Sequence, residues 1–497
     1  MERDDDLIRS LRQQGIRVSA QNGRLHVRGR PGSVLAEHLA QLRSRKAEIL
    51  QLLEGTEITL DDPVRQREPG SVVPLTVRQR GIWNDAVYRG TTLTSRRCLN
   101  AVRVMGPLNI RHLHRSLEAV VRRHESLRTR FIAVEGIPRQ IVDDECEHRP
   151  LELDFSEVYS ARVEDIGLLA QEFANQPVDL SLGRLFGARL FQLSQDDHVL
   201  VLAWDHMITD FMSMGIVSRE IWDLYKQAGD QPLRLPTPVL QFGDYAVWQE
   251  RTYADWQRRS ETYWKARFAS APRVGDADGG VGTIDESVSS TLQVPFGITL
   301  SNALATLARR ERTLLSLVVL TLYVALMSRW RNYRDLVVWF VSNGRQRPEL
   351  ELVTGYLATH LPLRVELSEE HSFLDLLKRV ELEFHGALRH HDFDRVPRIV
   401  PGCFHLPALY FNWLQQSTDT RDDVGGLSID PFPVSRSASV SFFPYFRHDK
   451  TEVTLTVYYQ PSVHPPAEME WLRDSLLRFA ESFARHPSTV PSWQLMK

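Results

Sequence analysis

The sequence predicts an α/β protein, with strand-like and helix-like segments mixed in α+β fashion, built as two lobes behind a small helix–hairpin–helix unit. Three observations carry this. The chain has 497 residues, more than one ordinary domain uses and enough for about two or three. From Pro74 onward, strand and helix signals alternate toward the C-terminus. Residues 273–290 interrupt that alternation with Asp276, Asp278, Gly279, Gly280 and Gly282 and few apolar residues, the composition of a hinge or crossover. The expected units are a front module at 1–55, a linker at 56–72, a first lobe at 73–272, the crossover at 273–290 and a second lobe at 291–497.

In the front module, Leu7, Ile8 and Leu11 share one helical face. Ile16, Val18 and Ala20, then Leu25 and Val27, alternate with polar residues on either side of Asn22-Gly23. That pair favours a tight hairpin turn because both residues tolerate positive φ. Pro31 and Gly32 break the chain, and Leu35, Leu39, Leu42, Ile49, Leu50 and Leu53 give one or two helices. The module is basic: Arg9, Arg12, Arg17, Arg24, Arg28, Arg30, Arg43, Arg45 and Lys46 stand against Glu37 and Glu48. Three readings are open: a solvated face, a nucleic-acid site, or a dock for an acidic peptide that adds a strand to the hairpin edge. The absence of interleaved aromatics and a net charge of -3 for the whole chain count against nucleic acid. Asp61, Asp62, Pro63, Glu68, Pro69 and Gly70 then mark the linker.

Cys98 to Val104 reads as a strand, and Asn109 to His124 as a helix with Leu113, Leu117, Val120 and Val121 on one face. Leu127 to Ala133 and Gly187 to Leu193 read as strands. The apolar run Val199 to Trp204 leads into Asp205-His206-Met207-Ile208-Thr209-Asp210-Phe211, followed by a helix-like stretch from Met212 to Tyr225. Beyond the crossover, Leu300 to Arg309 and Leu314 to Trp330 are helical and Leu336 to Val341 is strand-like. At the strand end, His206 can move a proton and Asp210 can fix local geometry, an arrangement suited to acyl transfer. The spacing alone also arises by chance.

Composition narrows the classes. Apolar residues at 42% and charged residues at 25% are ordinary for a globular protein, and the small net charge gives no field toward nucleic acid or membrane. Cys98, Cys146 and Cys403 are too scattered for a disulfide framework or a cysteine metal site. The opening Met-Glu-Arg-Asp-Asp-Asp is not a signal peptide. Leu314 to Met327 is broken by Ser316, Thr321 and Tyr323 and falls short of the ~20 residues of a membrane span. A cytoplasmic monomer is expected, with no bound metal or cofactor and no nucleic-acid or membrane partner.

Five further segments now fall in order: Leu75-Thr76-Val77-Arg78-Gln79-Arg80-Gly81-Ile82-Trp83, Arg123-His124-Glu125-Ser126-Leu127-Arg128-Thr129-Arg130-Phe131, Phe242-Gly243-Asp244-Tyr245-Ala246-Val247-Trp248-Gln249, Gly344-Arg345-Gln346-Arg347-Pro348-Glu349-Leu350, and Gly355-Tyr356 through Leu361-Pro362-Leu363-Arg364. With the His206 segment they resemble the condensation domain of nonribosomal peptide synthetases over about residues 74–490. The front module resembles the helix–hairpin–helix docking domains of such assembly lines over residues 5–54.

The resemblance implies two lobes like chloramphenicol acetyltransferase arranged as a V, with the active site in a tunnel between them. It implies a donor chain presented on the phosphopantetheine arm of an upstream acyl or peptidyl carrier protein, so that the chain binds no cofactor itself. The module would capture an acidic C-terminal tail of that carrier through Arg17, Arg24, Arg28, Arg30, Arg43 and Lys46. His206 corresponds to the family's catalytic second histidine, and Asp210 to the structural aspartate that pairs with an arginine matched by Arg345.

Two departures stand out. Asp205 replaces the first histidine, a mostly structural position, and a nearby carboxylate would raise the pKa of His206. Phe211 replaces a glycine that permits close backbone approach, and its ring is expected to narrow or reshape the tunnel. Thr359-His360 stands where the family has Asn-Thr, and Pro-Phe-Glu is missing after His390-His391-Asp392. Ser213 lacks a base-and-orienter pair, which disfavours an acyl-serine. With no adenylation or carrier domain after Trp493, the expectation is a free-standing enzyme. It would transfer an acyl, peptidyl or polyketidyl chain to a small-molecule or carrier-bound amine or alcohol, forming an amide or ester and releasing the product. A catalytically silent platform that recruits partner proteins and a coenzyme A-dependent acyltransferase are the competing expectations.

Overall fold

The computed structural model describes residues 17–21, 24–28, 42 and 46 of the front module. It also describes 63–488, apart from 90–96, 144–150, 228–234, 271–289, 392–408, 416–423, 435–440 and positions 161, 177, 369 and 450. In the module, β1 (Arg17–Gln21) and β2 (Arg24–Arg28) pair antiparallel as expected, and Asn22-Gly23 between them lies outside the described residues. Arg17 stands opposite Arg28 and Gln21 opposite Arg24, with the Val18–Val27 and Ala20–Leu25 pairs alternating between them. Leu42 is buried and Lys46 exposed, while Arg30 and Arg43 lie outside the described residues.

The first half contains β3 (Val73–Pro74), α1 (Val77–Arg89), β4 (Arg97–Met105), α2 (Ile110–Arg123), β5 (Thr129–Val134), β6 (Ile137–Val142) and β7 (Leu151–Ser160). It continues through α3 (Ile166–Ala174), β8 (Phe186–Ser194), β9 (Asp197–Asp205), α4 (Phe211–Gln227) and α5 (Phe242–Phe268). Strand β5 starts two residues later than expected, because Glu125–Arg128 winds into a short 3-10 turn first. The Asn109 side chain caps α2 by accepting from His112 N at 3.1 Å, and Leu113, Leu117, Val120 and Val121 form its buried face. The unbroken apolar run in β9 has a direct cause. Leu200, Leu202 and Trp204 pack into one core with α2 and α4, while Val199, Val201 and Ala203 face a second core with α3. A strand buried on both faces has no solvent side to make polar.

The second half contains β10 (Ser290–Pro295), α6 (Ile298–Glu311), α7 (Leu315–Arg331), β11 (Asp335–Ser342), β12 (Thr359–Glu366) and α8 (Phe373–Arg389). Then follow β13 (Leu409–Gln415), β14 (Ser428–Pro431), β15 (Phe442–His448), β16 (Val453–Tyr459) and α9 (Pro466–Arg485). Its sheet runs β10-β16-β15-β13-β11-β12. Helix α7 is the centre of the lobe: every residue from Leu317 to Met327 is buried. That accounts for its apolar run, and among the described residues no single helix is long and apolar enough to cross a membrane.

Core membership does not divide at one point of the chain. The expected crossover at 273–290 falls almost wholly outside the described residues, only Ser290 being seen, as the start of β10. Before it, Trp264 and Phe268 of α5 already pack into the second core. After it, β14 leaves the second half and pairs antiparallel with β4, giving the first sheet the order β14-β4-β9-β8-β7. A third tie is the apolar cluster of Phe242, Tyr245 and Trp248 with Leu350, Val353 and Leu357.

The loop after β11 folds tightly onto the segment that leads into β12. Gly344 has φ +70, and a Cβ there would sit 1.8 Å from Leu357 O. A Gly344→Ala change should therefore force the loop apart and cost about 1–3 kcal/mol, read as a lower denaturation midpoint with an unchanged denaturant slope.

Candidate active site

The end of β9 is a tight turn built by its own polar residues. Asp205 is fully buried, and its Oδ1 accepts from Met207 N at 2.8 Å. Its N–H donates to Leu185 O and its carbonyl accepts from Ile208 N. From α1, the buried Gln79 side chain donates to Met207 O at 2.7 Å and to Gln140 Oε1 at 3.2 Å. The turn thus leaves the His206 ring half-buried between the lobes while both neighbouring residues are fixed.

Asp210 closes the turn and caps α4, its Oδ1 accepting from Ser213 N at 2.8 Å. The same carboxylate reaches across to the second half. Arg345 Nη1 lies 2.9 Å from Oδ2 and Nη2 lies 3.1 Å from Oδ1, a two-pronged pair, and both side chains are 2% exposed. Leu357 N and Ala358 N also donate to Oδ2, each at 3.0 Å. Ser213 Oγ lies 2.7 Å from Asp210 Oδ1 and 2.8 Å from Gly355 O, so its single proton goes to one of them. It accepts from Gly355 N at 2.9 Å and from Arg345 Nη2 at 2.8 Å. A hydroxyl bound on all sides is a strut rather than a nucleophile.

Around His206 the structure gathers groups from both halves. Cys98, on β4 and opposite Trp204 in the β4–β9 register, places Sγ 3.2 Å from His206 Nε2. Tyr356 stacks obliquely on the imidazole with ring centres 5.4 Å apart. Arg78 of α1 donates to Thr359 Oγ1 at 2.7 Å and to His360 O at 3.4 Å, and makes no ion pair with a carboxylate among the described residues. His360 in turn meets Tyr410 edge-on at 5.7 Å.

Burial, the largest influence on His206, pushes its pKa down. Cys98 first, then Asp205, outweigh it and raise the ring to about 9. The sequence expectation for Asp205 has the right direction, but the thiol is the stronger neighbour. His360 goes the other way: burial drives it to about 3, with Arg78 and His206 adding repulsion. One imidazole is thus held protonated at neutral pH and its neighbour held neutral.

Phe211, the first residue of α4, is 41% exposed and stands outside the cores. Sequence reasoning does not single out Cys98, Gln79, Arg78, Tyr356 or His360 as site residues, and Thr359-His360 stands out in it only as an unusual pair. Among the described residues no group of three or more His, Cys, Asp or Glu is placed to hold a metal. A cavity of about 860 Å³ lies apart from these groups, lined in part by Arg67, Glu125, Arg139 and Gln241.

Two outcomes follow. Replacing Arg345 with Met strands a buried carboxylate and should cost about 3–5 kcal/mol in equilibrium unfolding. For His206, the folded pKa of about 9 exceeds the ordinary histidine value of 6.5. The protonated ring therefore adds stability that is complete below pH 6.5 and is lost as pH rises through about 9. Melting temperatures should fall across that window, and fall less in Cys98→Ala. The His206 ring titration followed by NMR should move to lower pH in the same variant.

Known proteins give the same picture. The condensation-domain family model matches residues 71–396, and the TubC N-terminal docking domain model matches residues 5–54. Phosphinothricin tripeptide synthetase PhsC of Streptomyces viridochromogenes is 30% identical over 451 residues, 87% of this chain and 41% of that protein. Chondramide synthase cmdD of Chondromyces crocatus is 29% identical over 355 residues, 69% of this chain and 9% of that protein. The chain therefore spans less than half the length of these relatives. Among solved structures, the X-domain from teicoplanin biosynthesis superposes with a TM-score of 0.72 at 23% identity, covering 86% of this chain and 98% of that one. The condensation domain of the enacyloxin polyketide synthase, described for chain release, superposes with a TM-score of 0.64 at 21% identity and covers 98% of this chain and 97% of its own. At these identities the likeness is one of fold. The match over most of the chain, with the site motif inside it, makes this chain a member of the condensation-domain family that carries a TubC N-terminal docking domain.

Proposed function

We propose that the chain transfers an acyl, peptidyl or polyketidyl group from a carrier protein's phosphopantetheine thioester to an amine or alcohol, forming an amide or ester. One observation carries this reading: His206 stands between the lobes on a turn whose backbone is held by Asp205 through Met207 N and by Asp210 through Ser213 N, so its ring is the group presented to act. A protonated His206 can hydrogen-bond the oxyanion of the tetrahedral intermediate and the departing pantetheine sulfur. After losing that proton it can serve as base, which an alcohol needs more than a neutral amine does. Arg78, Tyr356 and His360 supply a cation, a phenol and a neutral imidazole for positioning. The chain needs no cofactor of its own in this reading, because the pantetheine arm belongs to the partner.

The partner in this reading is a carrier protein with an acidic C-terminal tail. The tail would add to the edge of the β1–β2 hairpin, where Arg17 stands opposite Arg28 and Arg24 follows the turn. Arg30, Arg43 and Lys46 would extend the basic surface. The module is of the docking type, which accounts for a carrier-borne donor better than for coenzyme A.

The buried Asp205 motivates a second reading, a platform that binds a carrier without catalysis. One assay separates them: mix the protein with acyl-loaded carrier and candidate nucleophiles, and follow unloading by intact-protein mass spectrometry. Acyl transfer is expected, slowed about 10²–10⁴-fold in His206→Ala. Carrier binding without transfer to any nucleophile would favour the platform. Removing residues 1–55 should raise the KM for the carrier-bound donor and leave kcat unchanged.

A further inference from the structure

The thiol of Cys98 lies within hydrogen-bond reach of His206 Nε2, and the reading above gives it no part. It is not an isolated cysteine. Sγ lies 3.2 Å from Nε2, within reach for proton transfer, and β4 pairs with β9 so that Cys98 sits beside the strand end that presents the histidine. Both side chains are half-buried, with Cys98 packed at the edge of the first core. Nucleophile and base within hydrogen-bond reach is the arrangement that activates a thiol for covalent catalysis. The serine hydroxyl beside the motif, Ser213 Oγ, is tied to Asp210, Arg345 and Gly355.

We propose that Cys98 is an acyl-accepting nucleophile, so that the donor chain passes from the carrier thioester to Cys98 Sγ before the acceptor takes it. This rests on the acyl-transfer reading of the site. In the first step the pair reacts with its proton already on His206 Nε2, and Cys98 Sγ bonds as the thiolate to the thioester carbonyl carbon. The tetrahedral intermediate collapses with loss of the pantetheine sulfur, which leaves as a thiol with the proton from His206. One thioester replaces another, so no oxidant or further reactant is needed. In the second step the amine or alcohol attacks the acyl-Cys98 carbonyl. His206 takes the acceptor's proton and returns it to Sγ as the carbon–sulfur bond breaks. The relay lets the carrier depart before the acceptor arrives, and it predicts double-displacement kinetics.

The test uses the full chain with Cys146→Ser and Cys403→Ser, which leaves Cys98 as its sole thiol. This protein is incubated with an acyl N-acetylcysteamine thioester in the absence of acceptor, quenched in acid, and analysed by intact mass and peptide mapping. The expected result is a single acyl increment on the Cys98 peptide, removed by hydroxylamine and discharged by the acceptor. The adduct should be absent from Cys98→Ala and His206→Ala proteins that show native circular dichroism. If Cys98→Ala does not fold, the mapped adduct on the sole-thiol protein still decides the matter. Transfer to acceptor at the wild-type rate by Cys98→Ala, with no adduct on the parent, would overturn the relay and leave the acyl-transfer reading intact. An adduct that no amine or alcohol discharges would overturn the relay, whose second step would be missing, and would count against the acyl-transfer reading as well.

Discussion

The buried pair of Asp210 and Arg345 is the constraint on which the rest of the site depends. It joins the N-terminus of α4 to the loop after β11, residues 135 apart in sequence. Taking both ions from water is costly, and their mutual attraction offsets that cost only if the remaining hydrogen-bonding positions are filled. Here most of them are filled, by Ser213, Leu357 and Ala358 on the carboxylate and by Asn343 O and Val353 O on the guanidinium, with only the Arg345 Nε–H left over among the described residues. The pair therefore fixes distance and orientation together. It holds the β9 turn of one half against the Gly355–Ala358 segment of the other, and with them the rings of His206 and Tyr356.

The lock works because the halves are joined elsewhere as well. Helix α5 begins in the apolar cluster with Leu350 and Val353 and ends in the second core at Trp264 and Phe268. Strand β14 returns from the second half to the edge of the first sheet. With ties at both ends of α5 and at β14, a rigid-body shift of one half would break apolar packing and ladder bonds in several places at once. The space around His206 is accordingly held by the frame.

Much of this frame is legible in the chain. The α2 face, the Asn22-Gly23 hairpin and the doubly buried β9 follow from local periodicity and turn chemistry, which act over a few residues. Asp210 and Arg345 are reached through motif resemblance, while Gln79 sits inside one of the same motifs without announcing its role. What stays hidden depends on distant pairing. Cys98 meets His206 across 108 residues because β4 and β9 are neighbours in the sheet, and nothing in the local sequence of either reports the other. The β14 crossover is hidden for the same reason: four residues of strand carry no label of the sheet they join.

The frame also changes which substitution matters. Asp205 stands out in the sequence as the loss of a histidine, yet its carboxylate does the work the turn needs, accepting the Met207 N–H while fully buried. A turn closed by an acceptor at that position leaves His206 presented toward the second half, so the replacement alters charge more than shape. That charge raises the pKa of His206, but less than the thiol does. Burial alone would lower the ring's pKa, and Cys98 is the chief of the groups that raise it against that burial. A residue with no place in the motif thus governs the motif's central group, and the chemistry of this site is a property of the β4–β9 pair.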